Sequence, residues 1–172
     1  MEPKDTKNTQ LTHIDEAGNP RMVDVGDKQV TQRTAHARSV VALPPAVLQE
    51  LTQTNSGQTE LYTKKGPVFH TAIIAGTMAV KKTSELIPFC HPLAIDGCKI
   101  AIHLNEAQEA VIDCIVKVTG KTGVEMEALT GASAAALTIY DMCKALSHYI
   151  IIKDTRLIEK TGGKQDFKLY GG

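Results

Sequence analysis

Two stretches of the chain hold side chains that could do chemistry. In Ile87-Pro88-Phe89-Cys90-His91-Pro92-Leu93 a thiol and an imidazole stand between two prolines. Proline restricts its own backbone and that of the residue before it, so His91 is held extended and its ring direction is largely set. A fixed imidazole can move a proton, or it can simply pack a turn; the residues allow both. In Tyr140-Asp141-Met142-Cys143-Lys144 a carboxylate and an ammonium stand at i, i+3. On a helix they are neighbours, suited to acid–base work or to a plain solvated ion pair. Glu125-Met126-Glu127 opens the same predicted helix. Glu127 and Asp141 fall within roughly 40° of one another on the wheel but roughly 21 Å apart along the axis. One small site cannot easily use both. If both ends act, a neighbouring copy of the chain must bring them together across a symmetric interface.

Cations recur beside glycine or near element ends: Lys64-Lys65-Gly66, Lys81-Lys82, Lys121, and Lys160-Thr161-Gly162-Gly163-Lys164. A lysine next to glycine can offer a phosphate both its ammonium and a backbone N–H. Taken singly, each cluster also reads as a solvated loop. Gly120-Lys121-Thr122-Gly123 looks like the end of a phosphate-binding loop. The signature needs a further glycine five residues before Gly120, and Ile115 occupies that position. The chain is therefore not expected to be a P-loop hydrolase. Adjacent Cys90 and His91 point opposite ways in an extended chain. The remaining histidines show no ligand spacing, so no metal site is expected.

The elements that must position these groups follow from periodicity. Residues 34–43 read as a strand, and Pro44-Pro45 as the opening of a short helix over 46–53. The polar segment 54–59 reads as a loop. Helical spacing runs from Pro67 to Leu86 and stops before Pro88. Strands over 97–105 and 110–118 are joined by a hairpin at 106–109. A long helix covers about 123–147, followed by a strand over 148–160. Thr122-Gly123-Val124-Glu125 predicts a capping box, with Thr122 and Glu125 bonding to each other's backbone amides. Small residues at Gly131–Ala136 would let another backbone approach this helix. The order predicts an α+β fold, a ferredoxin-like βαββαβ subunit with a mostly antiparallel sheet and helices packed on one face.

With 172 residues the chain is expected to form one domain over 11–172, after a frayed polar tail at 1–10. Nineteen basic residues balance nineteen acidic ones, so no net field draws it to nucleic acid or to a membrane. Its anion binding would have to come from a local cluster. The four cysteines read as reduced thiols, and no apolar run suggests a signal or a span, so a soluble cytoplasmic protein is expected.

Several stretches taken together resemble one family. LTHIDEAGNPRMVDVGDK, KKGPVFHTAIIAG, KKTSELIPFCHPL, GKTGVEMEALTGASAAALTIYDMCKA and KTGGK, in this order over about residues 11–168, closely resemble the molybdenum cofactor biosynthesis protein C family, the cyclic pyranopterin monophosphate synthases. The resemblance implies a catalytic domain assembled as a homohexamer, a trimer of dimers, with active sites at the dimer interface. It implies a phosphorus–oxygen lyase that rearranges a cyclised dihydro-GTP, carbon 8 joined to ribose carbon 3′, into cyclic pyranopterin monophosphate and pyrophosphate on the way to molybdopterin. No resident cofactor is implied, although Mg²⁺ could ride on the triphosphate. Asp141, Lys144 and Lys65 are implied as catalytic. Phe89, Cys90, His91, Glu125, Met126, Glu127, Arg33, Lys81 and Lys160 are implied as substrate-binding, the cations near the phosphates. The lysines are expected to titrate low, buried among like charges. If each site draws on two chains, subunits lacking Asp141 should complement subunits lacking Lys65. The tail departs from the family pattern, since Gly163-Lys164 is followed by Gln165-Asp166 rather than Ser-Gly. Two rivals make other demands: a non-catalytic nucleotide-binding regulator, and an interaction protein that dimerises through its Ala-rich helix.

Overall fold

A computed structural model describes residue 15 and residues 17–53 and 59–169. The expected frayed tail at 1–10 and most of the expected 54–59 loop lie outside these. Five strands form the main sheet in the order β5-β6-β1-β7-β8. They are β1 (Thr31–Ala42), β5 (Gly97–Leu104), β6 (Glu109–Gly120), β7 (Ile151–Thr161) and β8 (Phe167–Lys168). Every pairing is antiparallel. The first four interleave with α2 (Val68–Lys81) and α4 (Glu125–Cys143) as βαββαβ, with β6 inserted between β1 and β5. The expected split βαβ arrangement is present.

Alternation along β1 explains the layering. Ala35, Ala37, Ser39 and Val41 are buried beneath the helices, whereas His36 and Arg38 lie on the other face. There they both donate to Asp113 of β6 at 2.7 and 2.8 Å. The two helices cross in close contact. A Cβ on Gly76 would stand 2.7 Å from the Gly131 carbonyl oxygen, and one on Gly131 would stand 2.6 Å from Val80. The small-residue stretch of α4 thus meets α2, burying Ala128, Ala132, Ala135 and Ala136.

Four expectations need correction. The helix expected over 46–53 is one turn, α1 (Pro45–Leu48), and the chain then becomes β2 (Leu51–Gln53). So short a helix is marginal by itself, and pairing with β3 (Thr59–Thr63) wins. With β4 (Gly66–Pro67) these make a second, three-stranded sheet that sequence reading did not foresee. The helix expected to Leu86 breaks at Lys82, because Thr83 Oγ1 reaches the carbonyls of Ala79 and Val80; α3 (Thr83–Leu86) follows. The capping box does not form. Val124 is the N-cap with no side-chain bond, Thr122 Oγ1 is buried without a partner, and Glu125 folds over Gly123 to meet Lys160. Finally, β8 adds a short strand in the tail. Among the described residues no helix is long and apolar enough to cross a membrane.

Candidate active site

The register gathers most of the singled-out residues at one end of the sheet. Because β1 runs antiparallel to both neighbours, its start meets their ends: Thr31 pairs with Gly120, and Ala35 with Lys160. Arg33 therefore lies beside the turn that leads into α4, and its Nε donates to the Gly120 carbonyl at 3.0 Å. The proline-flanked segment reaches the same end. Cys90 N–H donates to the Ile87 carbonyl at 3.1 Å, closing a turn with Pro88 at its second position, and an irregular segment then leads to β5.

Between these parts lies a cleft of about 510 Å³. Its walls include Arg33, Phe89, Cys90, His91, Glu125, Met126, Glu127 and Lys160. The sequence nominated all eight. Lys28, Lys121 and Lys164 join Arg33 and Lys160, so five cations face two carboxylates in a chain whose formal charge is zero. Lys160 binds Glu125 at 2.8 Å, and Lys121 ties the N-terminal segment down through the Gly26 carbonyl at 2.5 Å. That segment contributes Val23, Val25 and Lys28. It carries no periodicity, and although it lies in a stretch that carries the family resemblance, these three residues were not singled out. With Phe89, Leu93 and Met126, Val23 and Val25 add an apolar lining, so the cleft suits a flat ring system carrying phosphates.

The two carboxylates differ. Glu127 is only 4% exposed, and burial pushes its carboxyl above the usual range, with Glu125 adding to the effect. A solvated charged face on α4 is thereby excluded at Glu127. Cys90 is likewise raised, by burial and then by Glu127, so it is a thiol rather than a thiolate.

The other nominated residues lie elsewhere. Lys81 borders a second depression of about 430 Å³ with Thr77, Asp96 and Cys98. Asp141, Lys144 and Lys65 form a cluster at the far end of α4. Asp141 Oδ1 accepts from Lys144 at 2.8 Å, and Oδ2 from Lys65 at 2.9 Å. Lys65 Nζ also donates to the Asp141 carbonyl at 2.9 Å. Lys144, then Lys65, holds the Asp141 carboxyl down at about 2, and Asp141 in turn raises Lys144. At Lys144 this reverses the expectation of a low-titrating lysine, since the Asp141 carboxylate lies 2.8 Å from its ammonium. It also overturns the expected complementation. Lys65 and Asp141 touch within one chain, so two subunits each lacking one of them share the same broken cluster. From the cleft the cluster is separated by most of α4, roughly 21 Å from Glu127 to Asp141.

Residues 22–163 match the MoaC family. The chain belongs to that family. A MoaC relative in Xanthomonas campestris pv. campestris, named cyclic pyranopterin monophosphate synthase, is 57% identical over 164 residues, covering 95% of this chain and 96% of the relative. One of the same name in Desulfitobacterium hafniense is 53% identical over 155 residues, covering 90% and 91%. The Dictyostelium discoideum molybdenum cofactor biosynthesis protein 1 is 53% identical over 170 residues; the match covers 92% of this chain but 27% of that longer protein. The MoaC match takes in the Lys65–Asp141–Lys144 cluster and the cleft wall apart from Lys164 and Gln165.

Proposed function

We propose that this chain is a cyclic pyranopterin monophosphate synthase, a phosphorus–oxygen lyase of molybdenum cofactor biosynthesis acting in the cytoplasm. The observation that carries the reading is the convergence of five cations and an apolar wall on one cleft of an otherwise neutral chain. Its substrate is a cyclised dihydro-GTP. Lys28, Arg33, Lys121, Lys160 and Lys164 hold the triphosphate, and Phe89, His91 and Met126 contact the ring system. Glu127, biased by burial toward its protonated form, supplies the acid that opens the aminal. Closure of the cyclic phosphate joins a sugar hydroxyl oxygen to the α-phosphorus and breaks the bond to pyrophosphate. The hydroxyl proton passes to a base, and fixed cations carry the charge of the departing group. No resident cofactor is required, and Mg²⁺ arrives, if at all, on the triphosphate.

Asp141 is too weak a base to act alone while two ammonium groups hold it near 2. Its role is to aim Lys65 and Lys144 at the substrate. Because the cluster lies roughly 21 Å from the cleft, the complete site pairs one chain's cluster with another chain's cleft, in a homohexamer built as a trimer of dimers. Outward-facing Ile74, Met78 and Leu137 on α2 and α4 give a second copy an apolar surface to cover. Lys81, outside the cleft of its own chain, reaches phosphate only in that assembly. The test is to supply the purified chain with the cyclised intermediate. Pyrophosphate released one for one with product supports the reading; tight binding with no pyrophosphate would mark a regulator instead.

A further inference from the structure

Glu60 is a carboxylate with no exposed surface, placed where the new small sheet meets α2. It accepts the backbone N–H groups of Leu61, Phe69 and His70 at 2.7, 2.8 and 3.1 Å, and its second oxygen meets His70 Nδ1. Burial pushes its carboxyl up, but the bond from Phe69, the His70 ring and the Leu61 amide together outweigh that and leave it lowered. α2 has no side-chain cap of its own, since Pro67 is its N-cap. The cap comes through space from β3. These bonds attach to both ends of one hairpin: Leu61 lies where it departs, and Phe69 and His70 where it returns. Between them Tyr62 pairs with Pro67 and Thr63 with Gly66, leaving Lys64 and Lys65 at the tip. From there Lys65 reaches both the carboxylate and the carbonyl of Asp141.

We propose that Glu60 is a positioning residue for the reaction, which sets the place of Lys65 by fastening both ends of the hairpin that carries it. The inference rests on the assignment of Lys65 to the chemistry. A buried carboxylate is costly unless fully bonded, and here every bond it makes serves the base of that hairpin. Its test is a double-mutant cycle on the full chain, with steady-state pyrophosphate release measured over a range of substrate concentrations for Glu60→Gln, Lys65→Ala and the pair. Glu60→Gln is expected to lower kcat about tenfold with KM within about twofold, while in the Lys65→Ala background the same change costs less than about twofold. If Glu60→Gln does not fold, His70→Ala, which leaves the three backbone bonds in place, enters the cycle instead with a smaller expected loss. An equal loss in both backgrounds overturns the positioning role while Lys65 keeps its own. Normal turnover in Lys65→Ala overturns both assignments.

Discussion

Gly162 and Gly163 are adjacent in the tail loop that brings Lys164 and Gln165 to the cleft, yet an added methyl should have opposite consequences at the two. Gly162 has φ of 83°, a conformation that costs an L-residue about 1–2 kcal/mol. A Cβ there would also stand 1.9 Å from the Gln32 carbonyl oxygen and 3.0 Å from its carbon, both backbone atoms of β1. The loop can escape only by breaking its own bonds, the Gly162 N–H to Asp166 at 3.0 Å and the Thr31 hydroxyl to the Gly162 carbonyl at 2.8 Å. Each is worth about 1 kcal/mol. Gly162→Ala is thus expected to lose about 3 kcal/mol, which at this chain length lowers Tm by roughly 6–12 °C. At Gly163 the nearest atom to an added Cβ is Arg33 Nη1 at 3.5 Å, an ordinary contact, and Tm should move by less than about 2 °C. Thermal melts at matched protein concentration check this, because assembly makes Tm depend on concentration. Gly162→Ala should also raise KM more than it lowers kcat, since it displaces phosphate-binding groups. Equal Tm values for the two variants would refute the reasoning.

Removing Asp141 or Lys144 by alanine substitution should keep fold and assembly, because all three members of the cluster are about half exposed and such pairs add little stability. Product formation should fall by at least about a hundredfold in either; near-parental pyrophosphate release would refute the assignment. Glu127→Gln removes an acid whose folded pKa is raised. The folded chain then holds its proton better than the unfolded chain, so Glu127 costs stability as pH rises through the window above the ordinary carboxylate value. The glutamine variant should therefore melt no lower than the parent at pH 7–8 and show a flatter rise between pH 7 and 5, while turnover drops. A variant that melts well below the parent at pH 8 would show that the carboxylate is needed ionised.

The main sheet was legible because β1, β6 and α4 each follow one period over many residues. The small sheet was not. β2 and β4 have three and two residues, too few for alternation to show, and Thr59–Thr63 buries Leu61 through contacts with α2 rather than by pattern. Most of the cleft could be named from the proline-flanked segment and the opening of α4. Lys28, Val23 and Val25 were not, since an irregular segment is placed by tertiary contacts such as the bond from Lys121 to the Gly26 carbonyl. The helical wheel brought Glu127 and Asp141 to one side of α4 but could not say that Glu127 is buried and Asp141 is not. The capping box failed for a related reason: the local partner of Glu125 lost to Lys160, thirty-five residues on and opposite Ala35 in the sheet register. Glu60 was not singled out, because Phe69 and His70, which it joins to its own strand, lie in α2, nine and ten residues on.

The claim that most needs testing is that each site joins the cluster of one chain to the cleft of another. Asp141→Ala and Lys160→Ala remove opposite ends, and each alone should be inactive. When the two are mixed in equal amounts and allowed to exchange, half the dimers carry one of each, and one of their two sites draws both halves intact. Pyrophosphate release should then recover to about a quarter of the parental rate. No recovery after verified exchange of subunits would contradict the account.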